Sequence, residues 1–366
     1  MTITHIEIYR LSIPMVPFTI ATGTMQFAQN LFIRVHTNQG LSGVGECSAF
    51  PMIAGETQDT CFVLARDFAT LWKGKNAADI HARMQELDSY ITHNHTAKSA
   101  FDMALYDLAA KAKGVPLYQF FGGSYWEPES DLTIGIGAAE DMAAQAVEFV
   151  EQRMAGILKV KLGKHAGQDI ERMQKIRAAV GPQVELRIDA NAGWNFEDAV
   201  LALTALQPLN IAFCEQPMPR LLDDKMPSLR RLSQIPIMAD ESVFNHHEAE
   251  RLLRANACDY VNIKLSKAGG LAEAWRIHDV CASYQIPNMI GGMLESRLAL
   301  TAKVHFALAA KNVQFYDLDT CLLGHLEDPV TGGVVFKGMK LQAPNVPGIG
   351  ADIDPVWLKK CEHITI

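Results

Sequence analysis

The chain begins with ITHIEIYRL, in which apolar and polar residues alternate with the period of a strand that has one buried face. NLFIRVHT repeats the pattern about twenty residues later. No charged residue occurs between Leu11 and Leu31, so this stretch is predicted to be a long uncharged loop between two strands. AKSAFDMALYDLAAKAKG then places apolar residues at helical spacing, with Gly114 and Pro116 ending the helix. Residues 1–125 thus read as a mixed α+β unit, and GGSYWEPES as the linker that closes it.

Beyond the linker the pattern becomes periodic. Eight apolar, β-rich runs (DLTIGIG, GILKVK, VELRID, IAFCE, IPIMAD, DYVNIK, IPNMIGG and VQFYD) alternate with amphipathic segments such as FEDAVLALTAL and HHEAERLLRAN. The runs end near Gly137, Lys161, Asp189, Glu215, Asp240, Lys264, Gly291 and Asp317, always 24 to 28 residues apart. Such a repeat predicts an α/β fold, a (β/α)8-type modified TIM barrel over 126–325. A doubly wound sheet is the competing architecture, but no Gly-x-Gly-x-x-Gly follows the first strand. Residues 326–366, rich in Gly, Pro and short β-like runs, are expected to return to the N-terminal capping domain.

Composition narrows the function. With 366 residues, 49% hydrophobic, and a net charge of -8 without runs of either sign, the chain suits small-molecule chemistry rather than nucleic acid or a membrane surface. No apolar run reaches spanning length, and the start lacks the pattern of a signal peptide. The seven cysteines form no Cys-x-x-Cys pair, which favours reduced thiols and a cytoplasmic protein.

The chemistry gathers at the strand ends. Five consecutive runs end in Lys161, Asp189, Glu215, Asp240 and Lys264, and the eighth in Asp317, which in a barrel would all face one mouth. Strand alternation puts Lys159 beside Lys161 and Asp319 beside Asp317, and burial with a neighbouring cation is expected to lower a lysine's pKa. Three carboxylates without His or Cys make a hard, all-oxygen set suited to Mg2+, with Mn2+ next. Lysines on both flanks suggest two bases that address opposite faces of a carbon acidified by the metal. Capping and surface pairing explain a single strand-end acid as well as function does, but not three in succession.

These residues carry a resemblance. KVK, RIDAN, CEQP, MADES, VNIKLSKAGG and MLES resemble the enolase superfamily in its muconate-lactonising subgroup, over nearly the whole chain. The resemblance implies Lys161 and Lys264 as the acid/base pair, with Lys159 holding the substrate carboxylate. It implies Asp189, Glu215 and Asp240 as Mg2+ ligands, supported by Asn191 and Glu241, and points to Met293, Glu295 and Ser296 after the seventh strand. FYDLDT is similar to the Asp-x-Asp of the dipeptide epimerases, with Asp317 and Asp319 gripping an α-ammonium. Specificity loops near 18–30 and 47–57 would bring Met25, Phe27 and Phe50 to the substrate. The implied activity is epimerisation of an L-Ala-D/L-Xaa or D-Ala-D-Ala type dipeptide by a homo-oligomer.

Met25 stands where relatives acting on L-Ala-D/L-Glu can carry an arginine, so a small or apolar Xaa is expected unless a residue such as Arg297 supplies a cation. The rival readings are an L-Ala-D/L-Glu epimerase, an N-acylamino acid racemase, an o-succinylbenzoate synthase or a muconate cycloisomerase. From other classes come a Schiff-base aldolase, which needs one lysine and no metal, and a non-catalytic binder.

Overall fold

The computed structural model describes residues 1–366. Its N-terminal part is built on a four-stranded antiparallel sheet in the order His363–Thr365, Ile3–Ile20, Gly23–Thr37, Ser42–Ser48. The expected uncharged loop is instead a continuous hairpin, with only Ala21 and Thr22 between its long strands. The ladder is irregular at its outer end, between Ile3 and His5, and again between Pro14 and Phe18, where Pro14 and Pro17 have no N–H to donate. Helices Gln58–Trp72, Ile80–Tyr90 and His95–Lys113 cover the sheet.

Eight parallel strands follow, each paired with the next in sequence: Leu132–Ile134, Ile157–Lys161, Glu185–Asp189, Ile211–Glu215, Ile237–Ala239, Tyr260–Ile263, Asn288–Gly291 and Val313–Asp317. The seam between the last and first is joined where the Asp131 N–H donates to the Tyr316 carbonyl at 3.0 Å. The sheet is therefore a barrel. Helices follow the first seven strands, whereas the eighth leads only into a 3-10 turn, Thr320–Leu322. Residues 330–353 then form two small antiparallel strand pairs.

Three strands stop short of their expected ends because the next residues bond elsewhere. The Ile136 N–H donates to Thr19 in the hairpin, and the Asp240 N–H to the Gln216 side chain. Lys264 starts the short helix Leu265–Ala268.

Period-two alternation layers the barrel interior. Lys161, Asp189, Glu215, Asp240, Lys264 and Asp317 lie at the C-terminal mouth. Two residues earlier on the same strands come Lys159, Arg187, Phe213, Met238, Asn262 and Phe315. Arg187 is stacked between the rings of Phe213 and Phe315, at 5.4 and 5.2 Å, so an aromatic floor underlies the charged layer.

Buried acids from the N-terminal part fasten the two parts together. Glu46 accepts from the N–H groups of Ser296 and Ala299 at 2.8 and 3.1 Å, satisfying the start of barrel helix Arg297–Ala309. Asp102 does the same for Leu271 at the start of helix Leu271–Ser283. There Gly270 has φ +124°, and a Cβ would stand 2.3 Å from Asp102 Oδ2. No helix is long and apolar enough to cross a membrane.

His305 joins three segments. Its Nδ1 accepts from the Tyr118 N–H at 3.2 Å, and its Nε2 donates to the Ile349 carbonyl at 2.9 Å, which selects the neutral tautomer. Burial lowers its pKa to about 4. The unfolded chain, with an ordinary histidine, binds the extra proton first. Stability from this residue is thus present above about pH 6.5 and lost as pH falls towards 4. Urea unfolding of wild type and His305→Gln should differ in slope over that window, with wild type losing up to about 3 kcal/mol more. Parallel profiles would show that His305 does not carry the acid sensitivity.

Candidate active site

Every strand-end group named from the sequence reaches the barrel mouth. The Lys159 ammonium is fully buried and lies 3.3 Å from Asp189 Oδ2, 2.6 Å from Glu215 Oε2 and 2.7 Å from Asp317 Oδ2. Lys161 Nζ donates to Asp189 Oδ2 and Lys264 Nζ to Asp240 Oδ2, both at 2.7 Å. The other Asp240 oxygen, at 2.7 Å, and the Asp240 main-chain carbonyl take the buried Lys267 ammonium. Asn262 Nδ2 holds Glu215 Oε1 at 2.7 Å, and Asn191 Nδ2 links Asp189 to Glu241 at 3.3 and 3.1 Å. Left-handed backbone occurs two residues after the acid of the third strand, at Asn191 (φ 41°), and directly after that of the fourth, at Gln216 (φ 33°).

Charge decides what this layer can hold. Seven buried carboxylates (Asp131, Asp189, Glu215, Asp240, Glu241, Asp317, Asp319) share the interior with five buried cations (Lys159, Lys161, Arg187, Lys264, Lys267), a formal excess of two negative charges when all are ionised, which some of the acids relieve by holding a proton. Burial and the charge of Asp189 push Glu215 up to about 7, and burial with Asp240 pushes Glu241 up to about 8. Burial also opposes ionisation of Asp189 and Asp240, but their lysines outweigh it and hold both below the usual carboxylate range. One Glu241 oxygen is buried without a hydrogen-bond partner, and Glu215 Oε2, though 2.6 Å from the Lys159 ammonium, makes no hydrogen bond of ordinary geometry. The all-oxygen donor set of Asp189, Glu215 and Asp240 suits a hard dication in chemistry, but with lysines seated on these acids their oxygens do not all lie within 4.8 Å of one another, so a dication would have to displace ammonium contacts to be held by all three.

Lysine basicity departs from expectation. Burial alone would lower Lys264, but Asp240 and Glu215 outweigh it and raise its pKa, and Lys159 is raised by Asp317 and Glu215 in the same way. The attraction responsible is the negative charge that a dication would neutralise. Lys159 also differs from its expected role, since it touches carboxylates and does not line the cavity.

That cavity lies between the barrel mouth and the hairpin. Lys161, Lys264, Asn191, Asp317 and Asp319 supply its polar lining with Thr133 and Thr320, and Phe18, Ile20, Met25, Phe50, Ile53, Met293, Leu294 and Leu323 its apolar wall. The hairpin tip reaches the mouth because Gly163 (φ +104°) leaves room, its absent Cβ being 3.1 Å from Ala21 Cβ. Three expected lining residues point elsewhere. Phe27 is 52% exposed, since the buried phase of its strand slips from Met25 to Ala28 across the irregular pairing. Glu295 is buried against Lys303 and the Met293 N–H, and Ser296 caps helix Arg297–Ala309 while donating to Glu46. Arg297 bonds Asp328 and three main-chain carbonyls, so it brings no cation to the cavity.

Asp131, not singled out from the sequence, joins Asp317 and Asp319 in a further acidic group. Ligand oxygens of Asp131, Asp317 and Asp319 lie within 4.8 Å of one another and could hold a metal or an ammonium. Arg187 already meets Asp131 at 2.9 Å and Lys159 meets Asp317, while Asp319 accepts from the Thr133 N–H at 2.6 Å. Burial and Asp317 push Asp319 up to about 7, whereas Lys159 and Lys161 outweigh burial at Asp317 and hold it at about 2. Of the three, Asp317 and Asp319 face the cavity, as a cationic substrate group would require.

The chain resembles known proteins over its whole length. Residues 3–122 match the model described as mandelate racemase / muconate lactonizing enzyme, N-terminal domain, and residues 141–357 match the enolase C-terminal domain-like model. A D-Ala-D/L-Ala epimerase of Cytophaga hutchinsonii is 41% identical over 369 residues, covering 100% of both chains. The chain belongs to the dipeptide epimerase family of the enolase superfamily. An L-Ala-D/L-Glu epimerase of Bacillus subtilis is 35% identical over 96% of each chain. The solved structure of the Cytophaga dipeptide epimerase, complexed with Mg and D-Ala-L-Val, superposes with a TM-score of 0.98 over the whole of both chains.

The charge excess makes a direct prediction for this epimerase-family chain. Mg2+ at one hundred times its Kd should raise the unfolding free energy by about 2.7 kcal/mol. Calorimetry should find one site in wild type and none in Glu215→Gln, while Asp319→Asn keeps it. Unchanged Mg2+ affinity in Glu215→Gln would remove that residue from the ligand set.

Proposed function

We propose that this protein is a Mg2+-dependent dipeptide epimerase that inverts the α-carbon of the dipeptide's C-terminal residue. The observation that carries this reading is angular. Lys161 ends the second strand and Lys264 follows the sixth, so half the barrel's circumference separates them, and both line the one cavity. The acids of strands three to five lie on one side between them, and Asp317 with Asp319 after the eighth strand on the other. A dipeptide laid across this mouth has its carboxylate at Asp189, Glu215 and Asp240, its ammonium at Asp317 and Asp319, and its second α-carbon between two amines.

Mg2+, bound by those three acids, supplies the positive charge that makes the α-proton acidic and stabilises the enolate of the substrate carboxylate. The lysine facing that proton takes it as a free amine, and the C–H electron pair moves into the carboxylate. The opposite lysine, as an ammonium, returns a proton to the other face. Roles reverse for the other epimer. Lys159 and Lys267 hold the acids in place, and Mn2+ is the expected substitute metal.

The cavity's cations are Lys161 and Lys264 alone, and the wall that Phe18, Ile20, Met25, Phe50 and Ile53 bring over it is apolar. A Glu side chain would lose its hydration there without a partner, so the reading favours a small or apolar C-terminal residue. The Cytophaga relatives, with D-Ala-D/L-Ala in one name and D-Ala-L-Val in the bound complex, support that direction.

Three variants and one pair of substrates test the proposal. Lys161→Ala and Lys264→Ala should each abolish epimerisation, with at least one still exchanging the α-proton of a single stereoisomer in D2O. Asp319→Asn should raise KM about tenfold or more through loss of a charged partner. Wild type should prefer L-Ala-L-Ala to L-Ala-L-Glu in kcat/KM. Retention of epimerisation by both lysine variants would contradict the two-base scheme.

A further inference from the structure

The active-site cavity shares a wall with a larger cleft. Phe18, Thr133 and Leu323 line both. The space left to the centre of a water-sized molecule is about 50 Å3 in the cavity and about 620 Å3 in the cleft. Phe18 comes from the irregular part of the hairpin, and Leu323 directly follows the turn Thr320–Leu322. Both side chains are half-buried. Thr133 is the residue whose N–H holds Asp319. The wall therefore stands beside the acid that the proposed function gives to the substrate's ammonium.

Across the cleft runs helix Ala139–Arg153. Asp141 and Glu148 line the cleft from it, seven residues apart and so on one helix face. Both are exposed and neither forms an ion pair, whereas the adjacent Glu140 is taken by Lys175. Met142 and Phe149 add apolar surface between them. Unpaired acids at the far end of an apolar passage suit a long side chain with an aliphatic stem and a cationic head.

We propose that this cleft continues the subsite for the dipeptide's first residue, and that Phe18 and Leu323 close it, setting how large that residue can be. The inference rests on the dipeptide reading, with the ammonium at Asp317 and Asp319. Ammonium and side chain leave the same carbon, so the first residue's side chain meets this wall within a bond or two of Asp319. A methyl group fits in front of it. A longer side chain has to displace Phe18 or Leu323, and once past them it enters a cleft whose free charges are negative.

The competing explanation is that these two side chains only pack the hairpin against the barrel. Truncation would then lower activity alike for every substrate. The test compares kcat/KM of wild type, Phe18→Ala and Leu323→Ala for L-Ala-L-Ala, L-Leu-L-Ala, L-Lys-L-Ala and L-Ala-L-Leu. Each variant should raise the preference for L-Leu-L-Ala over L-Ala-L-Ala about tenfold or more, the scale of a changed apolar pocket. L-Lys-L-Ala should gain more than L-Leu-L-Ala, and adding Asp141→Asn with Glu148→Gln should erase that extra gain. The preference for L-Ala-L-Leu should stay constant. Uniform loss across substrates, or a gain confined to L-Ala-L-Leu, overturns the subsite, and equal gains for Leu and Lys overturn its continuation into the cleft. Leu323→Ala decides the matter if Phe18→Ala does not fold. Failure of the dipeptide reading is distinguishable, because wild type would then turn over none of the four substrates.

Discussion

The buried ammonium of Lys159 is the contact on which the barrel mouth is organised. It reaches Asp189, Glu215 and Asp317 at once, and so joins the acids of the third and fourth strands to that of the eighth across the interior. Carboxylates this close and this buried repel one another and lose their hydration, so the cluster persists only with cations threaded through it. Lys161, Lys264, Lys267 and Arg187 supply the rest, and still a formal excess of two negative charges is left over. That residue of charge makes the site receptive to a dication on one side and an ammonium on the other. It also raises the pKa of Lys159 and Lys264 against the opposing effect of burial.

The ionisable groups of the cavity and most of its apolar wall come from different parts of the chain. The barrel mouth carries every ionisable group of the site, whereas the hairpin and the 47–57 segment bring Phe18, Ile20, Met25, Phe50 and Ile53 over it. Buried acids on the N-terminal side, Glu46 and Asp102, cap two barrel helices, so the apolar wall is registered against the charged floor by hydrogen bonds rather than by shape alone. Changes in the wall can therefore alter which side chain fits while leaving the lysines and acids where they are.

Much of this was legible in the sequence because two simple periods overlap. The repeat of about 26 residues placed the strands, and alternation within each strand pointed the terminal charges inward, so Lys161, Asp189, Glu215 and Asp317 could be located by counting. What escaped depended on partners distant in the chain. The uncharged stretch before Leu31 looked like a loop because pairing between its halves leaves no charge pattern, and the slip that exposes Phe27 arises from prolines on the opposite strand. Glu295 looked like a lining residue until Lys303, two turns along the next helix, proved to face it. Lys267 lay in the same quoted stretch as Lys264, one helical turn on, and that spacing was signal enough to have found it. Asp131 precedes its strand and gave no such signal. The expected lowering of lysine pKa fails at Lys159 and Lys264 because cation neighbours were weighed and carboxylate neighbours were not.

The central claim is that two amines on opposite sides of one carbon move its proton. The most direct measurement is deuterium incorporation at the C-terminal α-carbon of L-Ala-L-Ala in D2O with Mg2+, followed by NMR and mass spectrometry from the earliest turnover. The account predicts that the newly formed epimer carries deuterium, delivered by a lysine equilibrated with solvent, while unreacted substrate stays largely protiated. An epimer that retains its original hydrogen would show that one base serves both faces, and would contradict the account.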